Sequence, residues 1–297
     1  MSPLSAGRSC TVQSRMNPTQ CTMPSAYSRT DMLAYTPGSR PRDAMKQVAC
    51  IVLPTYQEAQ NLAILLPQIF AQQEKIATHA LHVLVVDDNS PDGTQALVAD
   101  LRKKYPNLHL LPGEKQGLGV AYQRGMAHAL AELHADLIFE MDADLQHDPN
   151  LLPRFVQSCN EGHSLVIGSR FAPGGATPDF PVHRRFLSRL GNRLARICGG
   201  LPALRDCTSG YRCIRADLLV RCDLHHLGTR GYAFQTSLLS ELVRNGARVV
   251  EIPIVFPDRL HGRSKLSPRD YFEFLVTLAK LLLRRSRKRV AGEGSPV

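Results

Sequence analysis

The sequence predicts an α/β fold in which a mostly parallel β-sheet is flanked by helices. Short apolar runs alternate with segments of helical periodicity through the first half of the 297 residues. Strands that alternate with helices of roughly 10–15 residues are typical of parallel βαβ units with right-handed crossovers. Polar clusters follow three of the predicted strands, and the length suits one large domain with flanking segments.

The first half of the chain contains four predicted strands and three predicted helices. The strands cover 47–53, 81–86, 108–111 and 135–141, and the helices cover 62–73, 95–105 and 117–131. In a parallel sheet the ligand lies beyond the carboxyl ends of the strands. We therefore expect the polar clusters at 55–58, 87–94 and 142–146 to meet in one crevice.

The cluster after the fourth strand predicts a metal site. It contains Asp142, Asp144 and Gln146, and residues i and i+2 of an extended segment point to the same side. Two carboxylates and an amide oxygen suit Mg²⁺ or Mn²⁺, and Mg²⁺ usually completes its shell with water and substrate phosphates. The pattern thus favours a substrate that carries a diphosphate. The alternative is a solvated acidic turn, because Asp-x-Asp is common in turns.

The segment Gly117-Leu118-Gly119 does not predict a dinucleotide-binding loop. It lacks the third glycine of that motif and follows the wrong strand, so a helix start is the better interpretation. Lys115, just before it, is either solvated or faces a phosphate.

A basic segment begins after a fifth predicted strand at 165–167 and a loop rich in glycine and proline at 171–181. Residues 183–198 are predicted to form a helix with arginines on one face (Arg185, Arg189, Arg193, Arg196) and apolar residues on another (Phe186, Leu190, Leu194, Ile197). This pattern suits a helix at a lipid surface or near a phosphate-bearing acceptor. A helix with a solvated basic face is the alternative.

The last third of the chain predicts a short strand after 206–212, a helix from 231 to 246 and an edge strand over 247–256 with a proline in it. The following loop carries Arg259 and Lys265, which could close on a diphosphate. An apolar helix over 271–283 then runs into a cluster of cations at 284–289. Five cations beside such a helix could supply on the order of 5 kcal/mol of attraction to an anionic membrane before screening.

Composition and charge narrow the class of partner. The net charge is +10 and the pI about 9.4, which indicates an anionic partner such as a nucleic acid, a membrane surface or a phosphorylated substrate. There is no tryptophan, aromatic residues make up 6%, and no nucleic-acid-binding module is recognised, which argues against nucleic acid. No segment reaches the roughly 18–20 apolar residues of a membrane span. We therefore predict peripheral membrane attachment.

Residues 1–46 are predicted to form a disordered tail, because they are rich in serine, proline, threonine and arginine and lack the apolar core of a secretory signal. A transit peptide and an over-long gene start with Met45 as the initiator remain alternatives. The remaining chain divides into a catalytic domain at 47–266 and a membrane-associating helix with a basic tail at 267–297.

Several motifs occur in an order that resembles one enzyme family. They are PTYQE at 54–58, DDNSPDGT at 87–94, GLG at 117–119, DADLQH at 142–147, GSRF at 168–171, SGYR at 209–212, GYAFQ at 231–235 and DRLHGRSK at 258–265. Over about 49–265 the chain resembles the family 2 glycosyltransferases, and most of all the dolichyl or polyprenyl phosphate mannose synthases. The resemblance implies a GT-A fold with a Rossmann-like sheet and an amphipathic basic helix at the C-terminal end.

The resemblance also implies roles for individual residues. The base and ribose of a sugar nucleotide would lie on Pro54, Tyr56, Glu58, Val86 and Asp88. The diphosphate and metal would lie on Asp142, Ala143, Asp144 and Gln146, with Arg170, Arg259 and Lys265 as further nucleotide-sugar contacts and Arg184 and Ser188 receiving the lipid phosphate. The catalytic set is Asp144, Arg170, Arg259 and Lys265. Two positions depart from the family: Ser237 replaces a common glutamate and Asp148 a common proline. The missing carboxylate at Ser237 bears on the identity of the sugar.

By the same resemblance, the expected reaction is a metal-dependent, inverting transfer of mannose from GDP-mannose to dolichyl or polyprenyl monophosphate. The expected location is the cytoplasmic face of a membrane, with or without a membrane-embedded partner subunit. Another sugar nucleotide such as UDP-glucose is the first alternative. A non-catalytic sugar-nucleotide-binding scaffold is the second, and a nucleic-acid-binding protein is the third.

Overall fold

The computed structural model describes residues 46–227, 231, 233–258 and 268–292. Within them lies one seven-stranded sheet in the order β3-β2-β1-β4-β6-β5-β7. Its strands are β1 (Gln47–Thr55), β2 (His79–Asp87), β3 (Leu108–Pro112), β4 (Leu137–Glu140), β5 (Leu165–Ser169), β6 (Arg212–Arg215) and β7 (Val249–Pro253). The predicted tail, except for its last residue, and the predicted ligands Arg259 and Lys265 lie outside the described residues.

The described α-helices are α1 (Ala59–Ala71), α2 (Thr94–Leu101), α3 (Leu118–Ala131), α4 (Leu152–Asn160), α5 (Val182–Gly199), α6 (Ala216–Leu219), α7 (Ala233–Arg244) and α8 (Pro268–Gly292). Short 3₁₀ segments occur at Gln72–Lys75, Pro149–Leu151 and Leu224–Leu227. No helix in the described ranges is long and apolar enough to cross a membrane.

The predicted parallel arrangement is confirmed for β1, β2, β3 and β4, which pair in parallel, and β7 pairs in parallel with β5 alone at the sheet edge. The exception is β6, which runs antiparallel between β4 and β5. Because β6 is only four residues long, its direction could not be predicted from periodicity.

Apolar cores lie on both faces of the sheet. Along β1, Cys50 and Val52 pack into one core, whereas Ala49, Ile51 and Leu53 pack into the other. Successive side chains of a strand point to opposite faces, so a strand covered on both sides is apolar throughout. This arrangement leaves the ends of the strands as the natural position for polar residues.

Helices α2, α4 and α8 show the main differences from the predicted helices. Helix α2 ends at Leu101 rather than at residue 105, because Pro106 disfavours helical geometry in the residue before it. Helix α4 was not predicted, since Pro153 resembles a helix breaker although it occupies the first turn, where proline is tolerated. Helix α8 extends beyond the predicted 271–283 at both ends.

The exposed surface of α5 carries both apolar and basic residues. Phe186, Leu190 and Ile197 are 65%, 42% and 54% exposed, and they lie on the same side of the helix as Arg189 and Arg193. The buried side of the helix instead carries Asn192 and Ala195. Helix α5 packs against α8, and exposed apolar residues continue along that helix, at Tyr271, Phe272, Leu275, Leu282 and Leu283.

A fully buried ion pair joins β4 to β6. Arg212 Nη1 lies 3.4 Å from Glu140 Oε2, and neither side chain has exposed surface. Arg212 also donates to the carbonyl oxygens of Gln235 (2.8 Å) and Cys207 (3.2 Å). Burial raises the pKa of Glu140 to about 7, and Arg212 opposes this rise. The pair therefore ties two strands, α7 and the loop before β6 together through one guanidinium.

Removing one member of this pair will destabilise the fold. We expect Arg212→Met to lower the free energy of unfolding by about 3–5 kcal/mol, because Glu140 is left as an unpaired buried acid. Replacing both residues, as Arg212→Met with Glu140→Leu, will recover most of that loss. Chemical denaturation measures both effects. Arg215→Met on the same strand is the control, since its ion pair with Asp217 is partly exposed and costs about 1 kcal/mol or less. Equal losses for Arg212→Met and Arg215→Met would contradict this assignment.

Candidate active site

The loops that follow β1 and β2 meet at the carboxyl edge of the sheet. Gln57 N–H donates to Ser90 Oγ (2.9 Å), and Ala59 N–H donates to Asp92 Oδ2 (3.1 Å). The buried Asp87 accepts hydrogen bonds from Thr55, Ser90 and Gln95 side chains. The predicted proximity of these two polar clusters is therefore confirmed, and Asp87 holds them together.

Helix α3 connects this region to the aspartates that follow β4. Arg124 forms an ion pair with Asp88 at 3.0 Å, and Tyr122 donates its hydroxyl to Asp142 Oδ1 at 3.1 Å. Burial raises the pKa of Asp88, and Arg124 opposes this shift. The three polar clusters thus share one edge, with α3 bridging the second and third.

The predicted nucleotide contacts occupy different environments. Pro54 is the second-last residue of β1 and is partly exposed, and Glu58 accepts a hydrogen bond from Asn61 at 2.6 Å. Lys115 Nζ lies 3.4 Å from the ring centre of the half-buried Tyr56, so this lysine is not simply solvated. Val86 is fully buried in the core. Its side chain cannot reach a nucleotide, and any contact there would involve the backbone.

The aspartate motif forms a tight turn directly after β4. Asp144 is 8% exposed and accepts a hydrogen bond from the backbone N–H of Gln146, whose side-chain amide donates to Pro257 O at 2.6 Å. Ala143 is buried. Leu145 adopts a left-handed conformation with φ of 65°, which is unusual for a non-glycine residue. This backbone bend lies between Asp144 and Gln146.

The donor set fits a divalent cation that also binds substrate phosphates. Within the described ranges, no three His, Cys, Asp or Glu side chains are grouped closely enough to hold a metal by themselves. Two carboxylates are nevertheless the usual protein contribution to a Mg²⁺ site whose shell is completed by water and phosphate. Asp142 and Asp144 therefore fit Mg²⁺ or Mn²⁺, with Gln146 as the third predicted ligand.

His147 stabilises the turn that contains the aspartate motif. It is buried, its Nδ1 accepts the backbone N–H of Asp142 (3.0 Å), and its ring stacks on Tyr211 with centroids 4.7 Å apart. Burial lowers the pKa of His147 to about 4, so the ring is neutral near pH 7. Sequence analysis assigned it no role, although it directly follows the aspartate motif.

Arg170 is held in place by a buried carboxylate. Its Nε and Nη2 each lie 2.8 Å from an oxygen of Asp206, and Nη2 also donates to Thr208 Oγ1 at 2.7 Å. Burial opposes the charge of Arg170, but Asp206 and, to a smaller extent, Asp142 raise its pKa. Arg170 is therefore a fixed cation near the aspartate motif. Its partner Asp206 was not singled out as a site residue, because the two are 36 positions apart.

The predicted acceptor residues lie in the first turns of α5. Arg184 Nη1 contacts Asp258 Oδ1 at 3.0 Å, and its guanidinium lies 3.7 Å from the ring centre of Phe180. Ser188 is partly buried one turn further along. Asp258 directly precedes the loop with Arg259 and Lys265, whose proposed roles concern residues outside the described part of the chain.

The sequence model of glycosyl transferase family 2 matches residues 50–222. The chain is 36% identical over 248 residues to the polyprenol monophosphomannose synthase of Mycolicibacterium smegmatis, covering 83% of this chain and 91% of the relative. It is 40% identical over 230 residues to the undecaprenyl-phosphate mannosyltransferase of Micrococcus luteus, covering 77% and 91%. It is 31% identical over 237 residues to the dolichol-phosphate mannosyltransferase of Pyrococcus furiosus, covering 78% of this chain and 63% of the relative.

Solved structures show the same fold at low sequence identity. Glucosyl-3-phosphoglycerate synthase from Mycobacterium tuberculosis, crystallised with Mn²⁺ and UDP, aligns with a TM-score of 0.58 and 17% identity over 88% of this chain and 85% of that one. Mannosyl-3-phosphoglycerate synthase from Rubrobacter xylanophilus aligns with a TM-score of 0.57 and 18% identity over 82% and 75%. The fold is therefore of the GT-A type. Together with the sequence matches, this shows that the chain is an enzyme that belongs to glycosyltransferase family 2.

Proposed function

We propose that this glycosyltransferase transfers mannose from GDP-mannose to dolichyl or polyprenyl monophosphate, with inversion at the anomeric carbon. The observation that carries the proposal is the pair Asp142 and Asp144 at the end of β4, beside the fixed cation Arg170. The names of the three relatives, all of them mannosyltransferases or mannose synthases that use a polyprenol-type lipid, support the acceptor and the sugar.

In the proposed reaction, a phosphate oxygen of the acceptor attacks the anomeric carbon while the bond from that carbon to the diphosphate breaks. GDP leaves, and the sugar configuration inverts. The acceptor phosphate is largely ionised near pH 7, so no strong general base is required. The neutral, buried His147 fits this scheme because its Nδ1 already accepts a backbone N–H.

Asp142 and Asp144, with Gln146, would hold Mg²⁺ or Mn²⁺, and a bound divalent cation supplies neutralisation of charge on the departing diphosphate. The protein adds its own cations to that task. Arg170 is already oriented by Asp206, so little reorganisation accompanies the reaction. Arg259 and Lys265 are proposed to complete the diphosphate contacts.

The acceptor phosphate is proposed to bind at Arg184 and Ser188. Arg184 contacts the partly exposed Asp258. A phosphate with nearly two negative charges and three oxygens is a stronger partner for a guanidinium than one carboxylate. Acceptor binding would therefore exchange Asp258 for phosphate at Arg184.

Peripheral attachment to the cytoplasmic face of a membrane is part of the proposal. Val182 and Phe186 on α5 are 80% and 65% exposed, and Phe272 and Leu283 on α8 are 69% and 63% exposed. Arginines lie between the apolar residues of α5. Such a mixed surface suits the boundary between lipid headgroups and acyl chains. The protein would attach to the membrane by this surface alone or together with a membrane-embedded partner subunit.

A related transferase that uses another sugar nucleotide, such as UDP-glucose, is the second candidate. One observation favours it. Ser237, which replaces the carboxylate common in the family, is buried in α7 two residues from Gln235. The loss of the carboxylate changes the hydrogen-bonding groups that α7 offers at this position.

The first test concerns the aspartate motif. We expect Asp144→Ala to lower mannosyl transfer at least about a hundredfold, on the scale of one lost electrostatic contact in the transition state. Transfer of labelled mannose into an organic phase measures it. Asp100→Ala is the control, because the exposed Asp100 carboxylate pairs with the exposed Lys103. Near wild-type transfer by Asp144→Ala would refute the metal assignment, and nucleotide binding without turnover in the wild type would favour a scaffold.

The second test concerns metal and donor. Transfer from GDP-mannose should stop with EDTA and return with Mg²⁺ or Mn²⁺, since without a cation the two negative aspartates would repel the diphosphate. Unlabelled UDP-glucose should compete poorly. Undiminished transfer in EDTA would exclude the metal role. Label transfer from UDP-glucose but not from GDP-mannose would keep the enzyme class and replace the sugar.

The third test concerns the acceptor. Arg184→Gln should raise the KM for polyprenyl phosphate by about tenfold or more, the scale of one charge-assisted hydrogen bond, with the KM for GDP-mannose unchanged. Arg189→Gln, which removes an outward-facing charge from the same helix, should leave both nearly unchanged when the acceptor is supplied in detergent. An equal rise in both KM values for Arg184→Gln would contradict the acceptor assignment.

A further inference from the structure

A basic groove lies at the C-terminal end of α5, away from the catalytic edge. It has a volume of about 350 Å³ and is lined by Arg193, Arg196, Ile197 and Pro202. No role was assigned to it from the sequence beyond the general basic character of the helix. The groove therefore offers two guanidiniums beside an exposed apolar side chain.

The two arginines of this groove differ from most ordered guanidiniums, which pair with a carboxylate. Among the residues that the structure describes, no carboxylate forms an ion pair with Arg193 or Arg196. Arg196 Nη2 donates to Pro202 O at 2.8 Å, which fixes the guanidinium plane. Its Nε is buried and has no acceptor among those residues. An oriented guanidinium with no carboxylate partner among those residues is suited to an anion.

The groove is separate from the proposed acceptor site on the same helix. Nine residues separate Arg184 from Arg193, which places them on opposite sides of α5 and about 14 Å apart along its axis. Arg184 faces Asp258, whereas Arg193 is exposed on the outer side. One phosphate group cannot contact both arginines.

The surroundings of the groove indicate the class of anion. The outer side of α5 carries the exposed Val182, Phe186, Leu190 and Ile197, and Ile197 itself lines the groove. Helix α5 contains five arginines and no acidic residue. An anion bound here would therefore lie against apolar groups and in a positive field, as the headgroup phosphate of a membrane lipid does.

We propose that this groove binds the phosphate of an anionic phospholipid headgroup. Arg193 and Arg196 would donate to the phosphate oxygens, for which the planar guanidinium is well matched. Ile197 and the neighbouring apolar residues would contact the acyl region. The inference rests on the outward side of α5 facing a bilayer, as in the proposed function, but it is independent of the sugar and of the metal.

The test compares two variants that remove the same charge from the same side of the helix. Arg193→Gln alters the groove, whereas Arg189→Gln lies one turn before it and outside its lining. The full-length protein is mixed with phosphatidylcholine vesicles with or without phosphatidylglycerol, and binding is measured by flotation. We expect Arg193→Gln to weaken binding to the anionic vesicles about tenfold or more, and Arg189→Gln only about fivefold or less.

Several outcomes would overturn the proposal. Equal losses for the two variants would mean diffuse attraction rather than a site. Displacement from the anionic vesicles by inorganic phosphate at matched ionic strength, without such an effect of sulfate or chloride, would mean a free-phosphate site. Thermal unfolding controls for folding, and Arg193 is suitable because it is exposed. If the wild type fails to bind any vesicle, including neutral ones with polyprenyl phosphate, the membrane-facing assignment fails as well. Binding to neutral vesicles with no gain from phosphatidylglycerol refutes the groove alone.

Discussion

The ion pair between Glu140 and Arg212 is the constraint on which the catalytic edge depends. Both residues are fully buried, two positions before the aspartate motif and two positions after Gly210. The guanidinium also holds the carbonyls of Gln235 and Cys207. Because a buried ion pair gains little net stability over apolar residues of the same size, its contribution here is geometric. It fixes the positions of β4, β6, α7 and the loop before β6 relative to each other.

A second set of contacts connects the outer helix α5 to that same loop. The buried Asn192 donates to Arg205 O at 2.5 Å and accepts the backbone N–H of Cys207 at 2.8 Å. Between Arg205 and Cys207 lies Asp206, which forms a bidentate ion pair with Arg170. The helix proposed to face the membrane is therefore hydrogen-bonded to the backbone on either side of Asp206, whose carboxylate orients a proposed catalytic cation. Placement of α5 and orientation of Arg170 are parts of one arrangement.

The sequence predicted the features of the fold that depend on local patterns of apolar and polar residues. Alternating strands and helices and the edge position of β7 follow from residues that are near neighbours in sequence. The meeting of the loops after β1 and β2 follows from the parallel arrangement of those strands. The partners Tyr122, Arg124 and Asp206 were missed as site residues because each contacts its carboxylate or guanidinium across 20 to 36 positions. The side of α5 that packs on the rest of the fold, which carries Asn192 and Ala195, could not be predicted for a related reason. Periodicity separates sides of a helix, but it does not show which side the rest of the fold covers.

Backbone strain is concentrated where these loops leave the sheet. The non-glycine residues with left-handed backbone in the described ranges are Gln57, Asn89, Leu145 and His134, and the first three follow β1, β2 and β4. Asparagine tolerates this conformation, but leucine does not, and such a residue costs on the order of 1–3 kcal/mol. Leu145 packs its side chain against one of the two cores, which offsets part of that cost. Packing against a sheet that is covered on both faces can therefore stabilise a strained turn. That turn holds Asp142 and Asp144 in a rigid arrangement rather than as a flexible acidic loop.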